Sequence, residues 1–126
     1  MIKILIIDDE KEIREGLKEY VTDEYDCWVD LASNGDGGLR LCQKKQYDII
    51  FTDYLFLSKE DGFTFLSKIK QMEEQSITVL ISGYIFTHED AKGRSVGGDF
   101  DEFLAKPFSN DAVGKIIDKY FPGNKK

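Results

Sequence analysis

The residues of this 126-residue chain that could do chemistry together are Asp8 and Asp9 in LIIDDE, Asp53 closing DIIFTD, Ser82 in VLISG, and Lys106 in FLAKPF. Three carboxylates in one small cleft repel each other where the dielectric is low, and a divalent cation relieves that repulsion. Oxygen ligands without histidine or cysteine point to magnesium or manganese, and magnesium keeps waters that a phosphoryl oxygen can replace. The Lys106 ammonium would supply a second positive charge and the Ser82 hydroxyl a donor. Cation, lysine and hydroxyl together suit the three equatorial oxygens of an in-line phosphoryl transfer. The carboxylate between them would attack phosphorus and become an aspartyl phosphate. Asp53 suits that role, because a central strand would carry it beside the other acids. Each residue also has a plainer use. Asp9 and Glu12 have capping-box spacing, Asp53 would serve a turn, Ser82 a local cap, and Lys106 a solvated surface. Chance explains any one of them more easily than the set.

For these residues to meet, each must stand at the carboxyl end of a strand in a parallel sheet, where all such ends share one edge. IKILII, residues 2–7, reads as a strand apolar on both faces, as a sheet covered by helices requires. A helix over 10–21 follows, its stripe made by Ile13, Leu17 and Tyr20 or Val21. Residues 27–31 form a second strand, and Asn34 caps a helix running towards Lys45, weakened by Gly37 and Gly38. Residues 48–52 are the third strand. Residues 62–72 carry Phe63, Leu66, Ile69 and Lys70 at helical period, and 78–81 are the fourth strand. A helix over 87–98 is opposed by Gly93, Gly97 and Gly98, each costing roughly 1 kcal/mol. Residues 102–104 make the fifth strand. Ser109 then caps a last helix with Val113, Ile116, Ile117 and Tyr120 inward, stopped by Pro122 and Gly123. Alternating strands and helices with short connections predict an α/β three-layer sandwich around a parallel sheet. Right-handed crossovers leave several strand orders open.

Length and composition set the frame. One domain accounts for the chain, over residues 1–121, with 122–126 as a loose tail. Hydrophobic residues make up 41% and charged residues 33%, a balance typical of water-soluble domains. A net charge of −7 without a basic stripe argues against direct binding of nucleic acid or an anionic membrane. Cys27 and Cys42 have no metal or redox spacing and read as ordinary thiols of a reducing compartment. The opening apolar run is too short for a membrane span and wrongly flanked for a signal peptide. A cytoplasmic protein is the expectation.

MIKILIIDDEKEIR, DIIFTD, VLISG and DEFLAKPF, in this order, resemble the receiver domain of two-component response regulators. The likeness covers roughly residues 2–121. It implies a flavodoxin-like, CheY-like sheet of order 2-1-3-4-5, with Asp8/Asp9 and Asp53 on adjacent strands. It further implies Asp53 as phosphoacceptor with Mg2+ as cofactor. Asp9 and Asp53 would bind the metal directly, Asp8 through water, and Leu55 through its backbone carbonyl. Ser82 matches the switch hydroxyl, Phe103 the switch aromatic and Lys106 the phosphate-pairing lysine, before a peptide bond to Pro107 that is usually cis in this family. The implied partners are a sensor histidine kinase or phosphotransfer protein, and an output protein, output domain or second copy. The latter would be read on the face of the fourth helix, fifth strand and last helix. Such a domain is no turnover enzyme. It catalyses its own phosphoryl transfer and slow dephosphorylation.

The chain departs from the family pattern in places. Leu57 stands where a proline is usual, and Asp61–Gly62 comes one residue late, so the loop 54–61 is expected to depart from the family's path. Asp99–Phe100 replaces the customary Gly-Ala before the fifth strand, and the fourth helix is expected to be short, displaced or mobile. Leu55 and Tyr84 carry no group to orient a hydrolytic water, which predicts a long-lived phosphorylated state. Alternatives are a degenerate receiver that only binds, and a haloacid-dehalogenase-like phosphatase with Asp8 as nucleophile and Glu10 as an approximate second acid. A flavin-type domain would need a hydroxyl-rich loop where IIDDEKE presents acids. A stand-alone regulator and the front end of a larger one both fit the sequence.

Overall fold

A computed structural model describes residues 1–53, 62–72, 75–83 and 100–126. Its strands are β1 (Ile2–Ile7), β2 (Cys27–Ala32), β3 (Ile49–Asp53), β4 (Ile77–Ser82) and β5 (Glu102–Ala105). The helices are α1 (Lys11–Glu24), α2 (Gly35–Lys44), α3 (Gly62–Met72) and a C-terminal helix (Asn110–Tyr120). The helix expected over 87–98, the loop 54–61, Leu55, Leu57 and Tyr84 lie outside the described residues.

All pairings are parallel and the order is β2-β1-β3-β4-β5, the order implied by the resemblance. Alternation along the strands divides the core. Ile4, Ile6, Ile49, Phe51, Val79, Ile81 and Leu104 pack with α1 and C-terminal-helix residues such as Leu17, Val21, Val113 and Ile117. On the opposite face Leu5, Ile7, Ile50 and Leu80 pack with Cys42 of α2 and with Phe65 and Ile69 of α3. Helices on both faces explain why the strands are apolar throughout.

Local signals act as their chemistry predicts. Asn34 caps α2 by accepting from the Gly37 N–H at 2.8 Å, and Ser109 caps the C-terminal helix by accepting from Ala112 N–H at 3.1 Å. Gly38, a weakness in α2 by propensity alone, has a packing reason. A Cβ there would stand 2.5 Å from Ile7 Cδ1 and 3.1 Å from Phe65 Cζ. In α3, Ile69 of the stripe read from the sequence is fully buried, and so is Phe65, which that reading left out; the side chains of Phe63 and Leu66 lie outside the described residues.

The helix α1 begins at an N-cap, Glu10, that makes no side-chain capping bond. The D-x-x-E spacing of Asp9 and Glu12 therefore does not make a capping box, and both leading acids are left for other work. Residues 122–126 fold back on the start of β2. Asp26 N–H donates to Asn124 O at 2.8 Å, Lys126 N–H donates to Glu24 O at 2.8 Å, and Lys125 bridges Tyr25. These bonds hold a tail that composition alone would leave loose.

Candidate functional site

The sheet register brings the chemical residues to one edge. Ile7 pairs with Thr52, Asp53 with Ile81 and Ser82 with Ala105, so Asp8, Asp53, Ser82 and Lys106 crowd the carboxyl ends of four neighbouring strands. Strand alternation then sorts them. Asp8 continues the row Ile4–Ile6, Asp53 the row Ile49–Phe51, and Lys106 follows Leu104, all on the α1 side of the sheet. Phe103 pairs with Leu80 and packs, half-buried, on the α3 side, where Ser82 is next in Leu80's row.

The Lys106 ammonium is the hub. It lies 3.0 Å from Asp8 Oδ2, 3.4 Å from Asp53 Oδ1 and 3.9 Å from Glu10 Oε1. The peptide bond that follows it, to Pro107, is cis as the resemblance implied. Asp8 is fully buried. Its Oδ1 accepts the Glu10 N–H at 2.9 Å. Its Oδ2 meets Lys106 as an ion pair, and no described residue completes a well-directed hydrogen bond to it. Asp9 stands close enough to Asp53 to influence its carboxyl.

Electrostatics record the crowding. Burial, then the Asp8 charge, push the Asp53 carboxyl up to about 7, with Asp9 adding to the rise and Lys106 opposing it. Asp8 is raised by burial too, against the Glu10 N–H and Lys106. Burial pulls the Lys106 amine down, but Asp8, Asp53 and Glu10 together hold it above its ordinary value. One ammonium does not offset two buried carboxylates with Asp9 and Glu10 beside them, and further positive charge would be stabilised here.

A divalent cation fits that need. Asp8, Asp9 and Glu10 can each turn one carboxylate oxygen to within 4.8 Å of the others. The buried, under-bonded Asp8 Oδ2 is the kind of hard oxygen donor magnesium accepts. Sequence reasoning placed Asp8, Asp9, Asp53 and Lys106 together, and they are together. It gave Glu10, the third acid facing Lys106, only to the rival phosphatase reading, and it missed Arg14, whose Nη1 donates to the Asp8 carbonyl at 2.8 Å. Neither lies at a strand end, where convergence in space can be read from sequence. Leu55, the expected carbonyl ligand, is outside the described residues.

The model of the response regulator receiver domain family matches residues 4–118. The chain belongs to that family. Response regulator Rre1 of Synechocystis is 30% identical to this receiver domain over 118 residues, 92% of the chain and 50% of the relative. The chain spans about half the length of the curated relatives it matches. Among solved structures, a two-component response regulator from Clostridium difficile superposes with a TM-score of 0.86 at 23% identity, covering 98% of both chains. That likeness is one of fold. The response regulator TrrA of Thermotoga maritima, solved in complex with Mg2+ and BeF, gives a TM-score of 0.79 at 26% identity, over 96% of this chain and all of TrrA. Among the described residues of the receiver domain, no helix is long and apolar enough to cross a membrane.

Proposed function

We propose that this receiver domain, residues 1–121, accepts a phosphoryl group on Asp53 in a His–Asp phosphorelay and signals by a change of protein surface. The observation that carries the reading is the Lys106 ammonium held between Asp8 and Asp53, 3.0 and 3.4 Å away. Mg2+ would be held by Asp8, Asp9, Asp53 and the Leu55 carbonyl, and when bound it supplies positive charge to the phosphoryl oxygens. TrrA, solved with that metal, supports the choice.

Asp53 is the nucleophile. Its oxygen forms the new bond to phosphorus as the phosphorus–nitrogen bond of a phosphohistidine breaks, and the departing imidazole takes a proton from solvent. A carboxyl raised to about 7 is a poor nucleophile until it ionises. Lys106 favours the ionised form, and its ammonium then pairs with a phosphoryl oxygen. Ser82, buried at the end of β4, is the switch hydroxyl that donates to another. Phe103, half-buried beside Leu80, is the switch aromatic that fills the space left by Ser82.

The phosphoryl group adds about −1.5 to −2 charge. The resulting rearrangement would be read on the face of β5 and the C-terminal helix by an output protein, output domain or second copy. A sensor histidine kinase or phosphotransfer protein is the donor, the cytoplasm is the setting, and neither nucleic acid nor membrane is contacted directly. Turnover is limited to the domain's own phosphorylation and slow dephosphorylation. Intact mass after incubation with Mg2+ and a small phosphodonor tests this. The wild type gains one phosphoryl group and Asp53→Ala gains none, whereas a gain that survives the substitution refutes the acceptor.

A further inference from the structure

We propose that Arg14 is a positioning residue for the acid pair, holding the peptide plane that joins Asp8 to Asp9 and so setting the affinity for the divalent cation. The proposal rests on the phosphoacceptor reading of the site. Asp8 lies just beyond β1, where the sheet ladder ends, and its N–H still pairs with Ala32 O at 3.1 Å. Its carbonyl has passed the ladder and precedes the first helical residue, Lys11. Arg14, one turn into α1, donates Nη1 to that carbonyl at 2.8 Å. The same arginine's backbone N–H donates to Glu10 O at 3.1 Å, so the guanidinium reaches back from the anchored first turn.

The carbonyl of Asp8 and the N–H of Asp9 share one rigid plane. A bond on that carbonyl therefore limits rotation on both sides of it, where the two acids attach. With no side-chain cap at Glu10, nothing else described from α1's side chains fixes the entry of this helix. Asp8 is thus held from two directions, by Arg14 on its backbone and by the Glu10 N–H on its carboxylate.

Charge and position predict opposite signs. By Coulomb's law alone, deleting a cationic side chain near a metal site tightens metal binding. Loss of an orienting hydrogen bond behind the ligands weakens it, by about tenfold or more. Titration calorimetry with Mg2+ on wild type, Arg14→Met and Arg14→Lys, with melting curves in EDTA, separates the two. Arg14→Met is expected to bind Mg2+ about tenfold more weakly, and Arg14→Lys, which keeps a donor, to recover most of the loss. Unchanged or tighter binding by Arg14→Met, with only a lower melting temperature, overturns the proposal. Should that variant not fold, Arg14→Gln is judged by the same criterion. Absence of Mg2+ binding by the wild type would overturn the phosphoacceptor reading itself, whereas unaltered affinity in the variants removes only the role of Arg14.

Discussion

The Lys106 ammonium stands 3.4 Å from Asp53 Oδ1, yet the Asp53 carboxyl is still pushed up to about 7. Burial and the Asp8 charge outweigh the lysine, so the acids of this cleft are under-compensated. That imbalance generates most of the testable consequences of the structure.

Asp53→Asn is expected to stabilise the metal-free protein at pH 7.5. The folded state keeps the Asp53 proton to a higher pH than the unfolded chain does. As pH rises through the range between, the native state binds more protons than the unfolded state, and stability falls. The gain in melting temperature in EDTA should be a few degrees at pH 7.5 and should shrink towards pH 5. A gain that does not depend on pH would contradict the assigned cause.

Mg2+ should raise the melting temperature more at pH 7.5 than at pH 5.5, because protons and the cation compete for the same carboxylates. Chelation should reverse the effect. Equal stabilisation at both values would place the metal elsewhere.

Lys106→Met leaves Asp8 and Asp53 without the cation that faces both. The variant should melt lower in EDTA and bind Mg2+ more tightly than the wild type, so that saturating metal restores much of the lost stability. Calorimetry showing weaker Mg2+ binding would mean that the lysine does not share the metal's acids.

Two glycines separate helix propensity from packing. A methyl group added at Gly16, in α1, would meet nothing within 4 Å, so Gly16→Ala should stabilise by about 1 kcal/mol. Gly38 abuts Ile7 and Phe65, and the same change there should destabilise by about 1 to 3 kcal/mol despite the propensity gain. Denaturant midpoints give both values.

These contrasts show what the sequence could and could not reveal. The strands, the caps Asn34 and Ser109, and the meeting of Asp8, Asp53 and Lys106 were legible, because apolar runs, capping chemistry and strand ends are local signals with a fixed geometric meaning. Strand order was not legible from periodicity, since right-handed crossovers permit several orders, and came only with the resemblance. Phe65 was missed although it stands four residues before Ile69, because the close neighbour that marks it as buried, Gly38 of α2, is distant in sequence. Gly38 looked like a defect because the side chains that crowd it, Ile7 and Phe65, are distant in sequence. Arg14 was invisible for a similar reason: its partner is a backbone carbonyl, which carries no residue-type signature.

The most direct test of the account is to locate the acyl phosphate. After incubation with Mg2+ and a small phosphodonor, borohydride reduction converts a phosphorylated aspartate to homoserine, which peptide mass spectrometry can place. The account predicts homoserine at position 53 alone, and none when Mg2+ is chelated. Homoserine at position 8 or 9, or label that ignores the metal, would contradict it.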